Sequence, residues 1–232
     1  MKTILVIGAG KGIGLEVVKR LSGEHQLYAV SRTLTPELQT SGAVCFEEDV
    51  NVSCNFVSQL PDVLHGFVYC PGSITLKPFA RLSESDFLKD LNQNVLSAIK
   101  VTQAVLPQLK KSGSASIVFY STVAVKMGMP FHASVALSKG ALEGLTKSLA
   151  AELAANSIRV NAIAPSLTDT PLAYGLLSSD EKREAAAKRH PLNKIGKPEH
   201  LAALTAFLLD EQSEFMTGQI IGADGGLGSV RV

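Results

Sequence analysis

The stretch TILVIGAGKGIGLEVVKRL, residues 3–21, decides the fold. It opens with a short apolar run rich in β-branched residues, which is typical of a central parallel strand covered on both faces. Glycines then occupy alternate positions from Gly8 to Gly14, and apolar residues recur beyond them at helical spacing. The pattern predicts a strand, a glycine-rich turn and a helix.

This turn is suited to a pyrophosphate. Glycines let backbone N–H groups approach the anion, and the N-terminus of the following helix adds a partial positive charge. The common dinucleotide fingerprint needs glycine at its first, third and sixth positions, and it is not met because Ile13 occupies the sixth. The candidate phosphate-binding residues are Gly8, Gly10, Lys11, Gly12, Ile13 and Gly14.

Composition limits the classes of function. The 232 residues fit one domain, residues 1–232, and 22 basic against 21 acidic residues give a net charge of +1. This near-balance argues against a general nucleic-acid or membrane-surface binder. The first apolar run is interrupted well short of a secretory or membrane segment, so we expect a cytoplasmic protein.

Cysteine and histidine usage gives no sign of a metal site. The three cysteines are odd in number and lack metal-ligand spacing, and the five histidines are scattered. We therefore expect reduced thiols rather than a disulfide framework, and no bound metal.

Apolar, β-rich runs alternate with segments of helical periodicity along the chain. Such alternation predicts a doubly wound parallel α/β sheet of about seven strands with helices on both faces. Ligands in such a fold gather beyond the carboxyl ends of the strands. The predicted strands are Thr3–Ile7, Gln26–Val30, Gly42–Phe46, Gly66–Cys70, Ala115–Tyr120, Ile158–Ile163 and Gln219–Gly222.

The second predicted strand is followed by Ser31 and Arg32. An acidic residue here would accept hydrogen bonds from the adenosine ribose hydroxyls, whereas arginine suits a 2′-phosphate. Lys11 in the glycine turn adds a second cation. Together these residues favour NADP over NAD as the cofactor. The alternative is that both are solvated surface charges.

Several further motifs follow in a fixed order. Ser121-Thr122 comes after the fifth strand, Lys139 lies in the next helix, and the sixth strand leads into APSLTDT, residues 164–170. With Gly8-x-x-x-Gly12-Ile13-Gly14, this order resembles the short-chain dehydrogenase/reductase family over nearly the whole chain. The resemblance implies a Rossmann-like fold and an oxidoreductase that uses a nicotinamide dinucleotide and a small carbonyl or alcohol substrate. It also implies a homodimer or homotetramer, formed through the helix that carries Lys139 and the helix before it.

The resemblance assigns roles to residues that follow the other strands. Asp49-Val50 would contact the adenine, although Asp49 is equally explained as a helix cap because Asn51 follows it. Tyr69-Cys70-Pro71-Gly72 stands where the family usually has Asn-Asn-Ala-Gly, and Ser166 stands where it usually has glycine. The implied cofactor contacts are Asp49, Val50, Cys70, Gly72, Asn94, Lys139, Pro165, Thr168 and Thr170, in addition to Ser31 and Arg32.

The family's proton donor is missing from its expected position. In the family a tyrosine four residues before the lysine transfers the proton, since residues i and i+4 share a helix face and the lysine charge favours tyrosinate. Here that position is Val135. By resemblance, Lys139 is the lysine, Thr122 takes the place of the serine that holds the carbonyl oxygen, and Asn94 matches a helix asparagine linked to the lysine through water.

Three explanations remain open. His132, seven residues before Lys139, is either a relocated acid or a helix cap or packed side chain. A second explanation is a slow or substrate-assisted reductase, since general acid catalysis contributes about 10²–10⁴ in rate. The third is a non-catalytic NADP(H)-binding protein, such as a redox sensor or partner subunit. An epimerase or dehydratase is a further alternative.

Two other segments carry expectations about shape. Pro107 is expected to kink or end the long helix that Ser83-x-x-Asp86 opens. Residues 171–198 stand where the family has its substrate lid. Apolar side chains there that would cover a pocket are Leu172, Tyr174, Leu176 and Leu177.

Overall fold

The structure, a computed structural model, describes residues 1–231. Its strands are β1 (Thr3–Ile7), β2 (Gln26–Ser31), β3 (Val44–Glu47), β4 (Gly66–Tyr69), β5 (Ala115–Tyr120), β6 (Ile158–Pro165) and β7 (Ile220–Ala223). Its α-helices are α1 (Gly12–Leu21), α2 (Pro36–Gln39), α3 (Glu84–Leu91), α4 (Ser97–Lys111), α5 (Val123–Lys126), α6 (Ala133–Leu153), α7 (Asp180–Lys188) and α8 (Pro198–Leu209).

The strands form one parallel sheet in the order β3-β2-β1-β4-β5-β6-β7. The chain first builds outward from β1 to β3, and then returns to add β4 to β7 on the other side of β1. The direction of building therefore reverses between β1 and β4, where an open α/β sheet forms its ligand crevice. The predicted Rossmann-like sheet is confirmed.

Alternate residues of the central strands point to opposite faces of the sheet, as the period of a strand requires. Leu5 and Ile7 belong to a buried cluster that includes side chains of α4 and α6, whereas Ile4 and Val6 belong to a second cluster with α1 and α8. Different helices thus cover the two faces of the sheet. Because β1 is buried on both sides, its sequence is an unbroken apolar run.

Pro107 lies inside α4, so of the two expected effects the end of the helix is wrong, and the kink stays a prediction. The helix continues to Lys111, and both Val105 and Leu109 are fully buried against the sheet. The stabilisation that this packing provides on either side of the proline outweighs the cost of the backbone hydrogen bond that proline removes.

The helical segment before α4 is interrupted. The predicted capping box is present: Ser83 Oγ accepts a hydrogen bond from the Asp86 backbone N–H, and the Asp86 carboxylate accepts one from that of Ser83. Between α3 and α4, however, the chain forms a π-helical turn at Asn92–Leu96. Such turns are frequent at functional sites, and this one contains Asn94.

Residues 1–231 hold no disulfide, no cluster of metal ligands and no membrane-spanning helix. Cys45, Cys54 and Cys70 are all unpaired. No group of three or more histidine, cysteine, aspartate or glutamate side chains is arranged to hold a metal ion. None of the helices combines the length and the apolar composition that a membrane crossing requires.

Candidate functional site

The glycine turn folds so tightly that side chains are disfavoured in it, as Gly8 and Gly14 show. Gly8 has a φ of +78°, a left-handed conformation that side chains disfavour. Gly14 lies on the first turn of α1, and a Cβ there would stand 2.2 Å from the Gly8 carbonyl oxygen. The start of α1 carries no side-chain cap from Lys11. Its first backbone N–H groups therefore remain available to an anion.

A cavity of about 330 Å³, which we call the nucleotide cavity, lies against this turn. Its wall combines the turn with residues that follow β2, β3 and β4 at the carboxyl edge of the sheet. The predicted phosphate and adenosine contacts therefore share one cavity. The predicted residues that line it are Gly8, Gly10, Lys11, Gly12, Ile13, Gly14, Ser31, Arg32, Asp49, Val50, Cys70, Gly72 and Thr170.

The charges in the nucleotide cavity favour an anion. Lys11 and Arg32 are exposed, and neither makes an ion pair or side-chain hydrogen bond within the described chain. The Glu48 carboxylate accepts hydrogen bonds from Ser53 Oγ and from the backbone N–H groups of Asn55 and Phe56. Partial burial raises the pKa of Glu48, but these hydrogen bonds outweigh burial and leave it below its ordinary value. Glu48 is thus engaged by its own loop, and the cations remain available to phosphate.

Asp49 does not cap an α-helix. Its carboxylate accepts hydrogen bonds of 2.9 and 2.7 Å from the backbone and side-chain nitrogens of Asn51. The next helical segment is only a short 3₁₀ turn at Asn55–Gln59. The aspartate therefore forms an Asx-turn, and together with Val50 it lines the nucleotide cavity.

A larger cavity of about 580 Å³, which we call the lid cavity, adjoins the first. Five residues line both cavities: Ile13, Cys70, Gly72, Thr170 and Leu172. The lid cavity lies beyond the ends of β4, β5 and β6. Of the predicted lid residues, Leu172 and Leu176 line it, Leu177 is buried beside it, and Tyr174 is 76% exposed.

Lys139 lines the lid cavity and is only 6% exposed. Its Nζ donates a hydrogen bond of 2.7 Å to the carbonyl oxygen of Tyr120 at the end of β5. Burial lowers the pKa of Lys139 to about 8, although Cys70 and Asp90 nearby act in the opposite direction. A Cβ on Gly72 would lie 3.5 Å from this Nζ. The lysine therefore reaches the boundary between the two cavities.

Asn94 is fully buried and lines neither cavity. Its Oδ1 accepts a hydrogen bond of 3.0 Å from the Ser73 backbone N–H, and its Nδ2 donates one of 2.9 Å to Ser138 Oγ. It therefore ties the loop after β4 to α6, one residue before Lys139. The link between Asn94 and Lys139 through water stays a prediction.

Thr122, Ser121 and Val135 line the lid cavity. The Thr122 hydroxyl accepts a hydrogen bond of 3.3 Å from the Ala124 backbone N–H, which leaves its own proton available for donation. Ser121 donates to the Glu143 carboxylate at 2.5 Å and is already engaged. Val135 is buried one turn before Lys139 and presents only an apolar surface.

His132 precedes the first residue of α6 and lines the lid cavity. Its Nδ1 lies 2.7 Å from the carbonyl oxygen of Pro130. Because a carbonyl only accepts hydrogen bonds, Nδ1 carries the proton and the ring is held toward the chain that precedes the helix.

The four tyrosines provide no phenol beside Lys139. The Tyr69 hydroxyl donates to the carbonyl oxygen of Gln93, and the Tyr120 hydroxyl is paired with Thr205. Burial raises the pKa of both hydroxyls. The Tyr28 hydroxyl accepts a hydrogen bond from the Gln26 side chain on β2, and Tyr174 is exposed.

Two polar pairs at the lid cavity were not predicted from the sequence. Ser73 lines the cavity and donates to Asp90 at 2.6 Å, and the second carboxylate oxygen of this buried aspartate has no partner within residues 1–231. Ser166 lines the cavity and lies 2.8 Å from His190 Nε2. The partners are 17 and 24 residues apart and meet only through the fold, so a single sequence carries no signal of the pairing.

The arrangement fits an elongated ligand with an anionic part. The glycine turn offers backbone donors, Lys11 and Arg32 offer cations, and the buried Lys139 lies beside Gly72, which lines both cavities. These features lie at the switch point of a parallel sheet. Fold and site therefore define a dinucleotide-binding α/β protein.

Comparison with known proteins agrees with this class. Residues 10–228 match a family model described as enoyl-(acyl carrier protein) reductase. A tropinone reductase homologue of Arabidopsis thaliana is 35% identical over 241 residues, which cover 97% of this chain and 78% of that protein. The 3-oxoacyl-[acyl-carrier-protein] reductase FabG of Thermotoga maritima is 42% identical over 147 residues, which cover 63% of this chain and 59% of that protein.

Solved structures match over almost the whole chain. A short-chain dehydrogenase family protein of Francisella tularensis superposes with a TM-score of 0.90 at 30% identity and covers 99% of this chain and 100% of its own. An Agrobacterium tumefaciens structure with bound NADP gives a TM-score of 0.87 at 25% identity, with 97% and 96% covered. The chain belongs to the short-chain dehydrogenase/reductase family, and its sheet is the nucleotide-binding fold of these oxidoreductases.

Proposed function

We propose that the protein is a cytoplasmic NADP-dependent oxidoreductase that acts on a small carbonyl or alcohol in the lid cavity, with an altered proton donor. The observation that carries the proposal is the position of Lys139. Its ammonium lies at the boundary between a cavity with phosphate-binding features and a larger cavity that can hold a substrate. A lysine whose only role lay at the surface would be exposed rather than buried.

The preference for NADP is supported by charge. Arg32 and Lys11 line the nucleotide cavity without protein partners among the described residues, and Glu48 is engaged by its own loop. Arginine and lysine at this edge suit the 2′-phosphate that distinguishes NADP from NAD. The structure with bound NADP among the relatives is consistent with this preference.

Each residue that the family resemblance assigns has a separate task in this proposal. The reduced nicotinamide, when bound, supplies the hydride. With the cofactor in place, Lys139 would hold the nicotinamide ribose, and Pro165, Thr168 and Thr170, which line the same cavity, would contact the nicotinamide. The Thr122 hydroxyl donates a hydrogen bond to the substrate oxygen. Asn94 keeps the loop after β4 in place against α6.

The wall of the lid cavity indicates an apolar substrate. Apolar residues make up much of its lining, and its polar groups include Thr122, Lys139, Lys182 and Arg189. The apolar side chains include Leu76, Val123, Met129, Leu172 and Leu176. Small-molecule sites commonly combine an apolar lining with a few polar groups that orient the ligand. We expect a carbonyl group that carries an apolar substituent.

Turnover separates this proposal from the non-catalytic alternative. A panel of activated apolar aldehydes and diketones is mixed with NADPH, and oxidation of the cofactor is followed for the parent, for Val135→Tyr and for His132→Ala, with His200→Ala on α8 as the control. Turnover by the parent supports the oxidoreductase. Turnover by Val135→Tyr alone supports a cofactor-binding protein without catalysis. Loss of parental activity in His132→Ala, but not in His200→Ala, would assign the proton to His132.

We also propose that the protein is a homodimer or homotetramer that associates through α4 and α6. Leu96, just before α4, is 55% exposed, and Leu137 on α6 is 50% exposed. Apolar side chains exposed on these helices favour an interface. Sedimentation should give a mass that is a multiple of 24.5 kDa, and Leu137→Glu should reduce it. A parent that sediments as a monomer would contradict this proposal.

A further inference from the structure

Ser166 and His190 form a hydroxyl–imidazole pair in the wall of the lid cavity. Ser166 follows the last residue of β6, is half-buried and lines the cavity. His190 stands behind it, is 2% exposed, and places Nε2 at 2.8 Å from Ser166 Oγ. Ser166 therefore lies between the cavity and the buried imidazole.

The protein fixes which ring nitrogen faces the serine. His190 Nδ1 lies 2.9 Å from the Ala186 carbonyl oxygen in the last turn of α7. A carbonyl only accepts, so Nδ1 carries a proton, and Nε2 accepts from Ser166 when the ring is neutral or donates to it when both nitrogens are protonated. A Cβ on Gly225 would lie 3.4 Å from His190 Cδ2. The ring is thus held between α7 and the turn after β7.

The pair lies beside the groups that the reaction needs. Tyr120 of β5 pairs with Ile163 of β6, and adjacent strands are about 4.8 Å apart. Thr122 follows β5 by two residues and Ser166 follows β6 by one. Both hydroxyl side chains leave the same edge of the sheet and line the cavity that Lys139 lines.

His132 is less well placed to serve Lys139. It precedes the lysine by seven residues, or about 10 Å along the helix axis. Its ring bonds to Pro130, which turns it toward the preceding chain. Val135, the position that faces Lys139 one turn away, cannot exchange a proton.

Resting on the oxidoreductase function proposed above, we infer that Ser166 and His190 form the proton relay of this site. During reduction, the carbonyl carbon receives the hydride and the carbonyl oxygen takes the hydroxyl proton of Ser166. Ser166 Oγ in turn takes the proton from Nε2 of the doubly protonated His190, which becomes neutral. During oxidation, the alcohol proton moves to Ser166 as the serine proton moves to the neutral His190. Ser166 is the catalytic residue and His190 is the positioning and proton-storing residue behind it.

A purely structural role would give the same hydrogen bond, because the pair also links the lid to β6. Two readouts separate the roles. The first needs no turnover: long-range ¹H–¹⁵N spectra of the apoprotein report whether Nε2 of His190 can carry a proton in addition to the one on Nδ1. The second is the solvent deuterium isotope effect on kcat, since a relay places two moving protons in the reaction step.

The experiment compares the parent with Ser166→Ala, Ser166→Gly and His190→Gln. Ser178→Ala on the lid and His200→Gln on α8 are the controls, because neither residue lines the lid cavity. Calorimetry with NADPH and thermal unfolding establish that each variant is folded and binds the cofactor. Val135→Tyr is then combined with Ser166→Gly, because a phenol at position 135 would make the relay dispensable.

The relay predicts spectra in which Nδ1 of His190 stays protonated and Nε2 is found both with and without a proton. It further predicts a loss of kcat of about 10²-fold or more in the three variants, in line with removal of a general acid. It also predicts a smaller solvent isotope effect in these variants and restored activity in the double variant. Unchanged kcat in Ser166→Ala and His190→Gln, in a parent that does reduce carbonyls, would overturn the relay alone. A parent that binds no NADPH, or binds it without turnover, would overturn the proposed function and the relay with it.

Discussion

Substitution of Gly14 by alanine perturbs the glycine turn most directly. In Gly14→Ala the new methyl group would stand 2.2 Å from the Gly8 carbonyl oxygen and 2.8 Å from the carbonyl carbon of the same residue. Both atoms belong to the backbone, so no side-chain rotation relieves the contact. The turn must retreat from α1 by about 1 Å, and overpacking of this kind costs about 1–3 kcal/mol.

The effect on stability should be modest, since alanine is favoured over glycine within a helix by about 1 kcal/mol. The effect on cofactor binding should be large. A displacement of about 1 Å takes backbone N–H groups beyond hydrogen-bond distance of the pyrophosphate. Hydrogen bonds to charged groups contribute about 1.5–3 kcal/mol each. Weakening two of them predicts a rise in the NADPH dissociation constant of roughly 100-fold.

Isothermal calorimetry with NADPH measures this constant, and thermal unfolding checks the fold. Gly144→Ala is the matched control, because a Cβ at this helical glycine of α6 would meet no heavy atom within 4 Å. The control should bind NADPH as the parent does and unfold at an equal or higher temperature. A Gly14→Ala variant that binds NADPH within about twofold of the parent would refute the assignment of this turn to the pyrophosphate.

Two further predictions concern charge. Arg32→Ser should weaken NADPH binding roughly 10- to 100-fold and leave NADH binding unchanged, because a charge-assisted bond to the 2′-phosphate is lost. Calorimetry measures both affinities. Equal weakening of NADPH and NADH binding would contradict this role of Arg32. Burial holds the pKa of Lys139 near 8, against 10.5 for a free lysine, so between these pH values the unfolded chain binds a proton that the folded chain has released. The free energy of unfolding of the parent should therefore rise by about 3 kcal/mol relative to that of Lys139→Met from pH 8 to 10.5. Urea unfolding of both proteins measures this, and parallel pH profiles would count against a buried Lys139.

The elements that the sequence predicted are those whose signal is local. The strand, turn and helix of residues 3–21 appear with the expected bounds, because apolar runs, glycines and helical periodicity act over a few residues. The ends of other strands moved by one or two residues, as in β6, which runs to Pro165 rather than Ile163. Strand ends depend on pairing with neighbours, which a periodic pattern does not encode.

The features that the sequence did not reveal depend on distant contacts. Pro107 stays within a helix because α4 is packed on the sheet, and Asp49 forms an Asx-turn because no α-helix begins after it. The pairs Ser73–Asp90 and Ser166–His190 join segments that only the fold brings together. Each of these polar residues is unremarkable along the chain, so its role becomes visible only in the structure.

The central claim is that the glycine turn and Lys139 hold NADP between them. The most direct test is to titrate the purified parent with NADPH and with NADH in the same calorimetric experiment. We expect saturable binding of NADPH that is at least tenfold tighter than that of NADH, because Arg32 and Lys11 line the cavity in which the 2′-phosphate would lie. Tighter binding of NADH would contradict the cofactor assignment, and absence of binding by either cofactor would contradict the proposed function as a whole.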